Sequence, residues 1–142
     1  MPRWDSGTAL ARLRAARVAH LATADATGQP HLVPVTFALS PDDRILVVAI
    51  DQKPKSGTDL RRLRNIAANP RVSVLADHYD EDWTRLWWVR VDGTATVHTE
   101  AAERAPALTW LLAKYPQYEH DSPQGPIIAI AVRTVTGWAY TA

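Results

Sequence analysis

The residues best suited to chemistry in this chain lie in one stretch. Over residues 45–75 it reads ILVVAI, DQKPKSG, TDLRRLRNIAANP, RVSVL. That is the pattern of a strand, a loop, a basic helix and another strand. The loop holds Lys53-Pro54-Lys55. In an extended loop, two lysines one residue apart point the same way, and the proline stiffens the backbone between them. Two ammonium groups can then clamp one phosphate, helped by the free N–H groups of a helix start. Lys53, Lys55, Arg61, Arg62, Arg64 and Arg71 stand against a single acid, Asp59, over residues 53–71. The same spacing also suits a solvated basic loop.

Two further segments could bind rather than react. On a strand, Trp88 and Arg90 share one face, and Trp87 and Val89 share the other. An aromatic beside a cation suits a conjugated anion, through stacking and charge. One tryptophan in the core and one at a dimer contact would read the same way. Residues 32–37, LVPVTF, carry a proline that cannot donate to a ladder. Such a strand is at an edge or bulged, and Pro34, Val35 and Thr36 would then offer backbone groups to a planar heterocycle.

Other chemistry is thinly represented. There is no dinucleotide-binding glycine motif, no Walker loop and no GxSxG. Cysteine is absent, which excludes disulfides and thiolate ligands and fits a reducing cytoplasm. The five histidines form no metal-spaced pair, so no metal is expected. Asp77 and His78 are adjacent, so on a strand they point to opposite faces. A net charge of +1 favours neither nucleic acid nor a membrane surface. No apolar run approaches the roughly 20 residues of a spanning helix.

The elements that position these segments can be read from periodicity. Asp5 or Ser6 caps a helix to residue 16, with Arg12, Arg14 and Arg17 on a solvated face. Strands follow at 17–23, 31–39, 44–50, 71–79, 86–97 and 126–140. Gly28 sits in the first hairpin loop, free to take positive φ. The apolar run 45–50 suits a strand covered on both faces. Thr58 caps a helix presenting Leu60, Leu63, Ile66 and Ala67, stopped by Asn69-Pro70. A bulge is expected near Asp92-Gly93 and a kink at Gly137. Thr99 caps a third helix that restarts at Pro106. This gives one domain over residues 1–142, with six strands and three short helices. The class is mainly β (α+β), a mostly antiparallel barrel with peripheral helices.

Residues 17–39 (RVAHLATADATGQPHLVPVTFAL), 45–79 (through DQKPKSG and LRRLRNIAANPRVSVL) and 86–97 (LWWVRVDGTATV) together resemble the split β-barrel flavin and deazaflavin proteins. That group includes pyridoxamine 5′-phosphate oxidase-like proteins and actinobacterial oxidoreductases that use the deazaflavin coenzyme F420. The Lys-Pro-Lys loop brings the chain nearest to the deazaflavin branch. The resemblance implies a homodimeric, six-stranded split barrel with cofactor sites at the subunit interface. It implies that Lys53 and Lys55 hold the cofactor phosphate and that Pro34, Val35 and Thr36 run along the ring. Ile50 and Asp51 would line the same groove, and Trp88, with Arg90 on its face, would approach from the partner subunit. The implied activity is hydride transfer between coenzyme F420 and a small conjugated substrate, with no catalytic side chain named. The alternatives are an FMN-binding oxidase-like oxidoreductase and a non-catalytic carrier of a deazaflavin or tetrapyrrole. The chain departs from the oxidase pattern: its third strand ends Ala49-Ile50-Asp51, and no arginine follows Trp138. These departures speak against pyridoxal phosphate synthesis.

Overall fold

The computed structural model describes residues 3–50 and 61–141. A two-residue strand, β1 (Arg3–Trp4), leads into helix α1 (Ser6–Ala15). The Asp5 carboxylate accepts the Thr8 N–H at 2.7 Å and caps that helix. Next come β2 (Ala19–Ala24), β3 (Pro30–Val35), β4 (Phe37–Leu39) and β5 (Ile45–Ala49). Helix α2 (Arg61–Ala68) precedes β6 (Arg71–His78) and the long β7 (Trp87–His98). Helix α3 (Ala101–Lys114) and β8 (Ile127–Ala139) complete the chain.

All strand pairings are antiparallel, in the order β3-β2-β6-β7-β8-β5-β4, with β1 on β8. The two ends of this order, β3 and β4, are separated in the chain by Thr36 alone. The sheet must therefore curl until its two edges meet, which makes a barrel split at residue 36. The fold class is as expected. The strand count is eight rather than six, because β1 was not foreseen and the return strand breaks at Thr36.

The barrel interior holds Leu13, Leu21, Phe37, Leu46, Val48, Val74, Val89, Ile128 and Ile130. A second cluster, with Val47, Ala49, Leu111, Tyr115 and Ile127, lies under α3. Strand β5 thus sends alternate residues into two cores, as its apolar run requires. Val72, Val74 and Ala76 of β6 point inward, as the alternation predicts. Gly28 takes φ 90° in the first hairpin.

Several local expectations are corrected. Asn65, not Ala67, joins Ile66 on the buried side of α2, where its side-chain amide donates to Thr23 Oγ1 at 3.0 Å. Residues Thr58 and Leu60 lie outside the described residues. Glu100, not Thr99, caps α3, through a capping box with Glu103. That helix runs unbroken through Pro106, since packing of Ala107 and Leu111 outweighs one lost bond. The bulge expected near Asp92-Gly93 is present, with Arg133 of β8 left without a residue opposite, while the pairing register of β8 runs through Gly137 without a shift. Gly137 instead permits close approach, because a Cβ there would lie 2.8 Å from Ala9 Cβ. Finally, the three N-terminal arginines are engaged rather than merely solvated. Arg14 bonds the Ser40 carbonyl at 2.7 Å and pairs with Asp43. Arg17 donates to the Lys114 carbonyl at 2.8 Å. Arg12 lies over two tryptophans.

Candidate functional site at the split edge

The break at Thr36 is held from outside the sheet. Pro34 has no N–H to donate and sits on β3, which pairs only with β2 among the described residues. Three residues on, Phe37 starts β4 against β5. Tyr115 ends α3 and points its hydroxyl into this gap. The hydroxyl accepts the Phe37 N–H at 3.1 Å and donates to the Arg17 carbonyl at 2.9 Å. Burial pushes the Tyr115 phenol above its usual range, so it stays protonated and able to donate. Tyr118, in the short turn Pro116–Glu119, lies 2.6 Å from Thr36 Oγ1 through its own hydroxyl. The two tyrosine rings meet edge to face at 5.6 Å. Thr36, which lies between the two strands, and Phe37, where the β4 ladder begins, are thus each held by a phenol from outside the sheet.

Beside this clamp is a groove of about 270 Å³, lined by Pro34, Val35, Thr36, Ala49, Arg62 and Tyr118 among others. Val35 is buried in the main core and so offers mainly backbone. Ile50 is only 3% exposed and packs in the same core, while its neighbour Ala49 lines the groove. Arg61 and Arg64 are exposed on α2, and Arg62 is half-buried. Across from them on β3, His31 is held below the usual imidazole pKa by burial first, then by Arg61 and Arg62. Its Nδ1 is buried with no hydrogen-bond partner among the described residues. Asp51, Lys53 and Lys55 lie outside the described residues.

Trp88 and Arg90 share a face as expected, with the guanidinium 5.9 Å from the ring. They line a different groove, about 500 Å³, together with His20, Leu32, Leu75 and Asp77 on the outer face of β3, β2, β6 and β7. The two grooves share no lining residue. Asp92 anchors the polar end of this face. Burial raises its pKa, but hydrogen bonds from Ser73 at 2.6 Å, Thr134 at 3.1 Å and Arg90 at 3.2 Å hold it below its usual value. Asp77 and His78 do not pair; His78 Nε2 meets Asp80 Oδ2 at 2.9 Å. The structure thus gathers Pro34, Val35 and Thr36 with Arg62, and leaves Trp88 and Arg90 elsewhere on the same chain.

Sequence reasoning missed Tyr115 and Tyr118. Their signal was faint: two tyrosines three apart where the third helix ends. It also missed that Asp92 collects three donors. Among the described residues no group of three potential metal ligands occurs, and no helix is long and apolar enough to cross a membrane.

Comparison with known proteins agrees with this architecture. The family model for pyridoxamine 5′-phosphate oxidase matches residues 7–139. An FAD-binding protein from Mesorhizobium loti is 25% identical, with a TM-score of 0.72 over 96% of this chain and 95% of its own. The FAD-binding protein of Mycobacterium smegmatis is 19% identical, with a TM-score of 0.67 over 99% of this chain and 100% of its own. The conserved hypothetical protein Rv2991 of Mycobacterium tuberculosis is 18% identical, with a TM-score of 0.77 over 96% of this chain and 86% of its own. No curated protein matches the sequence.

Proposed function

The chain belongs to the pyridoxamine 5′-phosphate oxidase family, and from that premise we propose an oxidoreductase that works through a flavin-type cofactor laid along the β3–β4 edge. The observation that carries this reading is the groove at Thr36. It joins an unpaired strand edge, two hydroxyls at 2.6 Å and the Arg62 side chain in one concave surface. Those are the donors and acceptors that a planar, hydrogen-bonding, anionic ring system needs. Its 270 Å³ falls just short of the roughly 300–1,000 Å³ of complete ligand sites. The shortfall fits a half-site. Residues 51–60 join Ala49-Ile50 to Arg61-Arg62, and Ala49 and Arg62 both line the groove.

The finer reading is coenzyme F420, on the strength of Lys53-Pro54-Lys55 ahead of a basic helix. FMN is the second reading, favoured by structural relatives described as FAD-binding. The reduced cofactor would supply a hydride to a small conjugated substrate. The protein's part is binding and placement. Lys53 and Lys55 would hold the phosphate, and Ile50 and Asp51 would line the same groove. Backbone groups of Pro34, Val35 and Thr36 would bond the ring edge. Tyr118 and Thr36 share a proton-bearing hydroxyl pair beside it. Trp88 and Arg90 of a second copy would cover the open side, as a single domain working as a homodimer. The test is a titration of purified protein with F420, FMN and FAD, followed by absorbance and calorimetry. Micromolar or tighter binding of F420 alone supports the deazaflavin reading. A yellow protein as purified, with tight FMN binding, supports the flavin reading. Weak binding of all three refutes both. Tight binding with no turnover of any conjugated acceptor would make the protein a carrier.

A further inference from the structure

A second built surface lies away from the split edge, between β1, α1 and the start of β7. Strand β1 is only two residues long, yet it pins Trp4 opposite Gly137. Only a glycine fits there, since a Cβ would also lie 3.3 Å from the Trp4 ring. Trp4 is thereby brought to Trp87, with ring centroids 5.9 Å apart and a 36° tilt. The Arg12 guanidinium sits over both indoles, 5.3 Å from one and 5.5 Å from the other. A guanidinium stacked on indoles keeps its N–H edge directed away from the rings. Among the described residues Arg12 makes no hydrogen bond and no ion pair, unlike Arg14 or Arg17.

This arginine borders a groove of about 600 Å³. Leu86 and Ala139, both buried, contribute apolar surface to it, and Thr8 lies at its rim. Arg85 and His78 add basic groups. The acid nearest them, Asp80, is engaged by His78 at 2.9 Å and by Arg85 at 3.9 Å. Asp82 bonds Thr84, and Asp5 caps α1. The balance at the Arg12 end is cationic, over aromatic and apolar surface. That combination suits a flat ring bearing an oxyanion, since a guanidinium fork matches a carboxylate or phosphate bidentately.

We propose that this groove binds a small aryl oxyanion, an aryl carboxylate or aryl phosphate, with Arg12 as the anion receptor and Trp4 and Trp87 as its platform. It shares no residue with the groove at Thr36 and does not depend on the cofactor reading. The test titrates ¹⁵N-labelled protein with benzoate, phenyl phosphate and inorganic phosphate while following the indole N–H signals. Saturable shifts of Trp4 and Trp87 are expected with at least one aryl probe. Arg12→Met, which keeps the aliphatic stem, should weaken that probe by about tenfold, the loss of one charge-assisted pair. Arg12→Lys should weaken it by less. If Arg12→Met does not fold, Arg12→Lys and Arg85→Met carry the same reading with smaller losses. No saturable shift, unchanged affinity in the Arg12 variants, or inorganic phosphate binding as tightly as phenyl phosphate would each overturn the proposal.

Discussion

The edge at Thr36 and the face around Trp88 are built on opposite principles. The edge is narrow, polar and held in place by Tyr115 and Tyr118 from outside the sheet. The face is broad and largely uncovered, with Leu32 65% exposed beside half-buried Trp88 and Leu75. One surface is preorganised for hydrogen bonds; the other presents apolar area that no described residue of the same chain covers. The difference teaches that, under the proposed flavin reading, neither surface would suffice alone. A ligand needing ring contacts and aromatic cover at once would require two copies, which the family's fold suits.

The largest effect should come from breaking the face. Trp88→Ala is expected to weaken dimerisation by about 2 kcal/mol or more, as for a buried aromatic at an interface centre. Sedimentation at a series of concentrations measures it. Unchanged association would place the dimer contact elsewhere. At the edge, Tyr115→Phe removes a hydroxyl that serves Phe37 and Arg17 together. It leaves a buried N–H unpaired and should cost about 1–3 kcal/mol in urea unfolding. Dimer affinity should hardly change, which separates the two surfaces.

A smaller effect tests the end of the helix that carries the clamp. The Lys114 ammonium sits 3.7 Å over the Phe37 ring, and burial, then Arg17 and Arg14, lower its pKa from 10.5 to about 8. The folded chain thus releases this proton before the unfolded chain does. The penalty from Lys114 is in full force below pH 8 and is relieved as pH rises from about 8 to 10.5. Lys114→Met should flatten that rise. After discounting for its partial exposure and lost ring contact, it should stabilise the protein by about 1 kcal/mol at pH 7. Denaturation midpoints at pH 7 and pH 10 measure it; an equal rise in both proteins would exclude Lys114 as the source.

The parts legible in the sequence were those governed by short-range rules. Alternation placed Val72, Val74 and Ala76 inside, and Pro34 marked an edge. The doubly covered β5 followed from its unbroken apolar run. What could not be read depends on contacts distant in the chain. The bonds from Thr36 to Tyr118 and from Phe37 to Tyr115 span 82 and 78 residues. No periodicity encodes them. The helix through Pro106 and the close approach of Ala9 and Trp4 to Gly137 were likewise decided by tertiary packing. For the proposed site, strand order puts Pro34 to Thr36 at the edge, and whether Trp88 meets them would depend on how two copies pair.

That last point has a direct measurement. Lys55→Ala should weaken cofactor binding by about 1.5–3 kcal/mol, and Trp88→Ala should also weaken it. Mixing the two variants in equal amounts and allowing subunits to exchange tests where the residues meet. If each site takes Lys55 from one copy and Trp88 from the other, a mixed dimer has one intact site and one doubly altered site. Tight binding should then return at ~a quarter of all sites, from random pairing in a two-fold dimer. If both residues serve the same site from one chain, no mixture restores any tight site, and that result would contradict a composite groove.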